Sequence, residues 1–278
     1  MNRGWPAVWR SLRRDRGALL GLFLVGLVFC LAAGAGLSPY GPIDRGPSVE
    51  EPSSEHWLGT DVSGYDVLTR VLYGARISLL TGLAAVALAL LVGAPAGALS
   101  GYAGGWVDSA LMRVTDVMLA FPSVILAIAI ASLFESKSVG TVIVAVGVVN
   151  VPTVARQVRA SVLQVKTFDY VTAARAMGLS PFRVLARHVL PNCLAPMIVL
   201  STLGVGHAIL SAAGLNFLGL GPQPLVAEWG VMLKDGNGYL IADQEWAVIP
   251  PGVAIAITVL GFNLLGDGLR KALDPRAR

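Results

Sequence analysis

The chain has 278 residues, of which 55% are hydrophobic and only 14% charged, with a mean hydropathy of +0.68. A soluble domain of this length needs more polar surface, so the composition excludes one and indicates an all-α polytopic membrane protein. A formal charge of +4 and a pI of about 9.3 do not indicate a nucleic-acid partner, because the basic residues cluster between apolar runs.

Six apolar runs have the length a bilayer requires: 17–37, 77–99, 110–134, 139–154, 193–213 and 246–265. They are too long and continuous for the alternation of a membrane barrel. The first could be a signal peptide, since Ala33-Gly34-Ala35 resembles a cleavage site. Its apolar run exceeds a usual signal core, which favours a retained helix. The expected division is a basic N-terminus, first span and extracytoplasmic segment over 1–76, a five-helix membrane core over 77–266, and a tail over 267–278.

Gly93, Gly97, Gly101 and Gly105 recur every fourth residue at the end of the second run, a pattern that lets another helix backbone approach closely. Close packing within one bundle accounts for it more simply than a dimer face. Pro95 and Pro122 are expected to kink their helices. Arg113 and Asp116, three residues apart, are read as a local ion pair. His207, midway along the fifth run, is read as a neutral side chain hydrogen-bonded to a neighbouring helix. Asn263 and Asp267 close the last run as packing and boundary residues.

Charge sets the orientation. Residues 1–16 hold five Arg against one Asp, 156–188 hold six Lys/Arg against Asp169, and four Lys/Arg follow Gly268. Residues 38–76 hold six acids against three Arg, and 214–245 hold four acids against Lys234. With six spans, all basic segments fall on one side, which by the positive-inside rule is the cytoplasm, with both termini.

Negative findings narrow the chemistry. No Lys follows a Gly, so there is no phosphate-cradling P-loop. His56, His188 and His207 lack metal-ligand spacing, Cys30 and Cys193 are not placed to pair, and no catalytic triad or carboxylate pair gathers at one site. A secondary transporter would need inverted repeats and paired midplane charges. A channel would need a filter or charged ring. Neither pattern is present.

The segment 170–191, YVTAARAMGLSPFRVLARHVLP, is basic and amphipathic between two apolar runs. It reads as two short helices and a corner: Thr167 as an N-cap, Gly178 as a left-handed C-cap, then Ser180 capping a helix with Pro181 at its first position. Phe182, Leu185, Ala186 and Val189 share one helical face, Arg183 and Arg187 another, and Pro191 ends the helix. It could lie on the membrane surface, act as a spacer, or dock on a cytosolic protein. Small residues and a fixed corner favour docking.

Ala173-Ala174, Gly178 and Leu190-Pro191 resemble the EAA loop of permease subunits of ABC importers. The similarity extends to the C-type permease of dipeptide and oligopeptide importers. It continues through LGTDVSGYDVLTRVLYGARISL (58–79), GYAGGWVDSALMRVTDVMLAFPS (101–123), LNFLGLGPQP (215–224), WGVML (229–233) and FNLLGDGLRKALDP (262–275). The resemblance implies a type I importer permease whose loop over 167–191 carries a coupling helix. It implies a B-type permease partner, two ATPase subunits that bind ATP and Mg, and an extracytoplasmic peptide-binding protein. The chain itself would carry no cofactor, metal or catalytic residue. Thr172 stands where that loop has Glu, Tyr65 where the family has Arg, and Thr69 where Ser is common. A nickel chelate or another small ligand is the alternative cargo.

Overall fold

The computed structural model describes residues 5–223, 225–237 and 245–273. The expected basic residues Arg3, Arg276 and Arg278, the acid Asp243, and the motif ends at Pro224 and 274–275 lie outside them. Among the described residues the chain is helical, with two isolated backbone bridges, Arg45 to Tyr65 and Thr60 to Asp66. The helices are α1 (Trp5–Arg14), α2 (Arg16–Gly34), α3 (Val67–Ala103), α4 (Gly105–Leu119), α5 (Ser123–Ser132), α6 (Val139–Val165), α7 (Asp169–Ala176), α8 (Pro181–Val184), α9 (Leu190–Phe217), α10 (Trp229–Asn237) and α11 (Ile249–Leu273).

Among the described residues five helices are long and apolar enough to cross a membrane, and α4 with α5 forms a sixth unit bent by 92°. Six spans were expected, but the third is not one straight run over 110–134. Pro122 cannot donate the helical hydrogen bond, so the chain breaks there and restarts at Ser123. Pro95 lies inside an unbroken α3. At 37 residues α3 is about 55 Å long, well beyond the roughly 30 Å of hydrocarbon. A domain boundary at 76 therefore falls within this helix, and one at 267 falls within α11.

Small residues bring the spans together. A Cβ at Gly93, Gly97 or Gly101 would lie 2.7, 2.2 or 2.9 Å from the carbonyl oxygens of Val151, Ala155 and Arg159, so α3 and α6 touch backbone to backbone. Gly105 does not continue the row. Helix α3 has already ended at Ala103, and Gly105 sits at φ +57° with open space around it. The first span is part of the bundle: a Cβ at Gly21 would lie 2.5 Å from Leu265 N on α11. Asp15 caps α2 through the Ala18 N–H and accepts from Lys271 Nζ at 2.8 Å, so the start of α2 and the end of α11 lie together.

Two cores result. One, around Val67, Leu79, Val142, Ile209, Trp229 and Phe262, fills the middle and the acidic end of the bundle. The other, around Ala98, Val158, Val162, Val171, Val184 and Val189, lies at the basic end.

Candidate functional site

Helices α7 and α8 form a hairpin at the basic end. Thr167 does not cap α7. It bonds back to the Gln164 carbonyl, and α7 begins at Asp169 after Phe168. The corner forms because Gly178 takes φ +79°, which costs a side-chain-bearing residue about 1–2 kcal/mol. There the Gly178 N–H bonds the Arg175 carbonyl and the Leu179 N–H bonds the Ala174 carbonyl, satisfying two orphan acceptors at the helix end. Ser180 then precedes Pro181 at the first helical position, but its hydroxyl caps nothing.

The second helix differs from the expected one at three points. Pro191 does not end it: the helix runs on from Pro181 to Phe217, through a widened turn over Leu185–Val189 in which the Leu190 N–H reaches the Leu185 carbonyl. That widening carries the helix past a proline with no N–H of its own. It also changes which side chains share a face. Val184 and Val189, five apart, are both fully buried in the chain's own core, with Leu185 packed beside them. Val189 and Leu185 therefore do not belong to the outward face with Phe182, because the period there is not 3.6. What faces outward is Phe182, 81% exposed, with Arg183, Ala186 and Arg187.

The first helix of the hairpin buries Val171 and Ala174 and exposes Thr172, Ala173 and Arg175. Arg175 stacks over the Tyr102 ring at 5.3 Å, and Tyr170 Oη donates to the His188 carbonyl at 3.3 Å. Lys166 Nζ donates to the Gly101 carbonyl at 2.7 Å, tying the hairpin's base to α3. The hairpin is thus fastened on its inner side and open on its outer side.

Arg113 and Asp116 do not pair. Asp116 accepts from Arg156 Nη2 at 2.5 Å, forty residues away, while Arg159 grips Asp108 through two bonds of 2.6 Å. These link α4 to α6 and could not be read from local spacing. His207 is exposed and makes no hydrogen bond among the described residues, contrary to the expected partner on another helix. Asn263 lies against Gly206 of α9, and Asp267 is exposed.

The acidic end holds the departures in the first motif. Tyr65, buried, lies under Arg70 at 4.9 Å and Arg45 at 5.7 Å. Arg70, 2% exposed, donates to Asp61 at 2.6 Å, and Thr69 bonds Ser38 at 2.5 Å. Asp66 caps α3 through the Thr69 N–H and meets His56 Nδ1 at 2.9 Å. Sequence reading passed over Glu228. It is buried, accepts from Ser78 Oγ at 3.0 Å and from the Val231 N–H at 3.0 Å, and burial pushes its carboxyl above the usual range.

Residues 93–278 match the profile of the family described as binding-protein-dependent transport system inner membrane component. The chain belongs to this family. It is 43% identical over 277 residues to the dipeptide transport system permease protein DppC of Alkalihalophilus pseudofirmus, covering 99% of this chain and 90% of that one. It is 40% identical to the glutathione transport system permease protein GsiD of Pectobacterium atrosepticum, covering 99% and 92%. In three dimensions it is similar to a chain of the inward-facing MetNI methionine ABC transporter, with a TM-score of 0.62 over 74% of this chain and 97% of that one. At 19% identity that likeness speaks for the fold alone. The permease is a multi-pass membrane subunit of an ABC importer, and the ion-gradient alternative is set aside.

Proposed function

We propose that the permease is one of two dissimilar membrane subunits of an ATP-driven importer of short peptides. The observation that carries this reading is the set of relatives named for dipeptide, di/tripeptide and glutathione transport, at 40–43% identity over nearly the whole chain. Its companions would be a B-type permease, an extracytoplasmic peptide-binding protein and two ATPase subunits, which hold ATP and Mg. In this reading residues 169–190 are the coupling segment. Ala173, Gly178, Ser180, Pro181, Phe182, Arg183 and Arg187 face the ATPase, while Ala174, Leu185 and Val189 anchor the segment to the bundle and Pro191 joins it to α9.

A state change needs something that binds one state better than the other, and ATP binding between the ATPases supplies it. A hairpin fixed to α3 and α9 passes that motion to the spans. The charge pattern supports cytoplasmic termini and a cytoplasmic hairpin, and the pairing of Asp15 with Lys271 is consistent with both ends on one side. The packing of α2 on α11 supports a retained first span.

The test is uptake of labelled dipeptide by the complex purified in mild detergent and reconstituted with its binding protein. Uptake should stop on ATP depletion and persist when ion gradients are collapsed. The opposite pattern, or uptake of a different ligand class alone, overturns the proposal.

A further inference from the structure

Several hydroxyl side chains of the spans fold back on their own helix, Thr81 to Ile77, Ser132 to Ile128, Ser201 to Met197, Thr202 to Ile198 and Thr258 to Ala254, each onto the carbonyl four residues earlier. Ser78 and Ser100 instead bond the carboxylates of Glu228 and Asp108. Ser123, Thr153 and Ser211 do neither, and make no hydrogen bond among the described residues. Asn150 donates to the Val146 carbonyl at 2.8 Å, and its Oδ1 accepts no hydrogen bond from the described residues. In a membrane-spanning bundle a polar atom left open is costly unless something else meets it.

These exceptions converge. Ser123, Asn150 and Ser211 line one cavity of about 270 Å³ between α5, α6 and α9. The cavity opens where the third span is broken at Pro122, and interrupted spans are where transporters bind their cargo. Along α6 the polar groups continue as Asn150, Thr153, Gln157, Ser161 and Gln164, which helical geometry keeps within about 80° of one another, with Ser161 buried and bonded back to the Gln157 carbonyl. All five are uncharged, whereas Arg156 and Arg159 of the same helix turn aside to Asp116 and Asp108. Gln157 lines a second cavity of about 430 Å³, nearer the basic end, with Pro196, Leu200 and Leu203 of α9 and the charged Arg270 of α11.

Helix α9 runs antiparallel along this row. Its exposed Ser211 faces the first cavity, and His207, one turn on, is exposed at the level between the two cavities. Thr153 occupies the corresponding level on α6. The face of α6 that bears this row and the face of α9 that bears His207 and Ser211 thus flank a seam between two packed helices, with one cavity towards each end.

We propose that this seam lines the translocation path, and that Asn150, Thr153, Gln157, Ser211 and His207 meet the backbone amides of the passing peptide. Neutral donor–acceptor side chains pair with an amide N–H or C=O whatever side chain the peptide carries. They therefore suit a carrier whose selectivity lies elsewhere. The ligand class rests on the peptide reading above; the position of the path rests on the seam alone.

The test uses the complete importer in phosphatidylethanolamine–phosphatidylglycerol vesicles, with Cys30→Ala and Cys193→Ala as background. Asn150→Cys, Thr153→Cys and His207→Cys are compared with Leu91→Cys, an exposed apolar position on α3. The probe is a water-soluble methanethiosulfonate. Only the thiolate reacts, and apolar surroundings suppress it, so the seam positions should be modified at least about tenfold faster than Leu91→Cys. Alanyl-alanine delivered by the binding protein with ATP should slow that reaction. Using three seam positions keeps the test decisive if one variant fails to assemble. Modification no faster than at Leu91→Cys, in a complex whose parent imports alanyl-alanine, overturns the seam as the path. Fast modification in a complex that hydrolyses ATP but imports no short peptide supports the path and overturns the ligand class.

Discussion

At the acidic end of the permease, Arg70 with Asp61, His56 with Asp66, and Glu228 with Ser78 are buried polar pairs closed within one chain. At the basic end the hairpin is held by valine packing and by bonds along its inner side, and its outer side carries Phe182, Arg183 and Arg187, exposed among the described residues. One end is braced by interactions that cost most when a single partner is removed. The other is anchored on one face so that the opposite face stays available. The difference separates two kinds of packing: a braced end resists displacement, whereas a half-buried hairpin is placed as the proposed coupling role requires, to pass on a displacement applied from outside.

The sharpest way to break the comparison is at Arg70. Arg70→Met leaves Asp61 without its cation in a largely buried setting, a change worth about 3–5 kcal/mol. Thermal unfolding of the purified permease should register it as the largest single loss, and an unchanged midpoint would contradict the brace. Next in size is Gly97→Leu. It pushes side-chain atoms onto the Ala155 carbonyl and should cost about 1–3 kcal/mol by overpacking α3 against α6. Gly105, in open space, offers no such collision, so the pair Gly97→Leu and Gly105→Leu separates packing from backbone strain in the same assay.

Glu228 sharpens the account with a smaller effect. Burial raises its carboxyl above the unfolded value, so folding favours the neutral acid. The stability tied to that proton is complete below the unfolded pKa and is lost as pH rises through the folded one. Glu228→Gln, neutral at every pH, should match wild type in acid and lose less on going alkaline. Glu228→Ala strips the acceptor from Ser78 and from the Val231 N–H and should cost about 1–3 kcal/mol. Parallel unfolding–pH curves for wild type and Glu228→Gln would refute the buried-acid reading.

Much of this was legible because it depends on local chemistry. The spans follow from apolar length, and three glycines of the row from their spacing. Gly178 follows from the left-handed turn it makes, and the break at Pro122 from its missing N–H. What was not legible depends on turns that depart from the regular period and on partners distant in sequence. The widened turn before Pro191 swaps Val189 from the outer face to the inner one, and no 3.6-residue pattern reports that. Asp116 looks to Arg156 across forty residues, although Arg113 is nearer in sequence. Glu228 meets Ser78 across 150 positions, and only the folded bundle brings them together.

The central claim is that the outward face of the 169–190 hairpin engages the ATPase. It is tested most directly by the affinity of the ATPase subunits for detergent-solubilised permease carrying Phe182→Ala. Burying a large apolar side chain at that contact is worth about 1.5–3 kcal/mol, roughly a ten- to hundredfold change in Kd. The account predicts that loss at both low and high salt, with the permease's own unfolding midpoint unchanged because Phe182 packs against little of its own chain. Arg183→Ala, removing an exposed charge, should lose about 0–1 kcal/mol and mainly at low salt. Equal ATPase retention by wild type and Phe182→Ala would contradict the account.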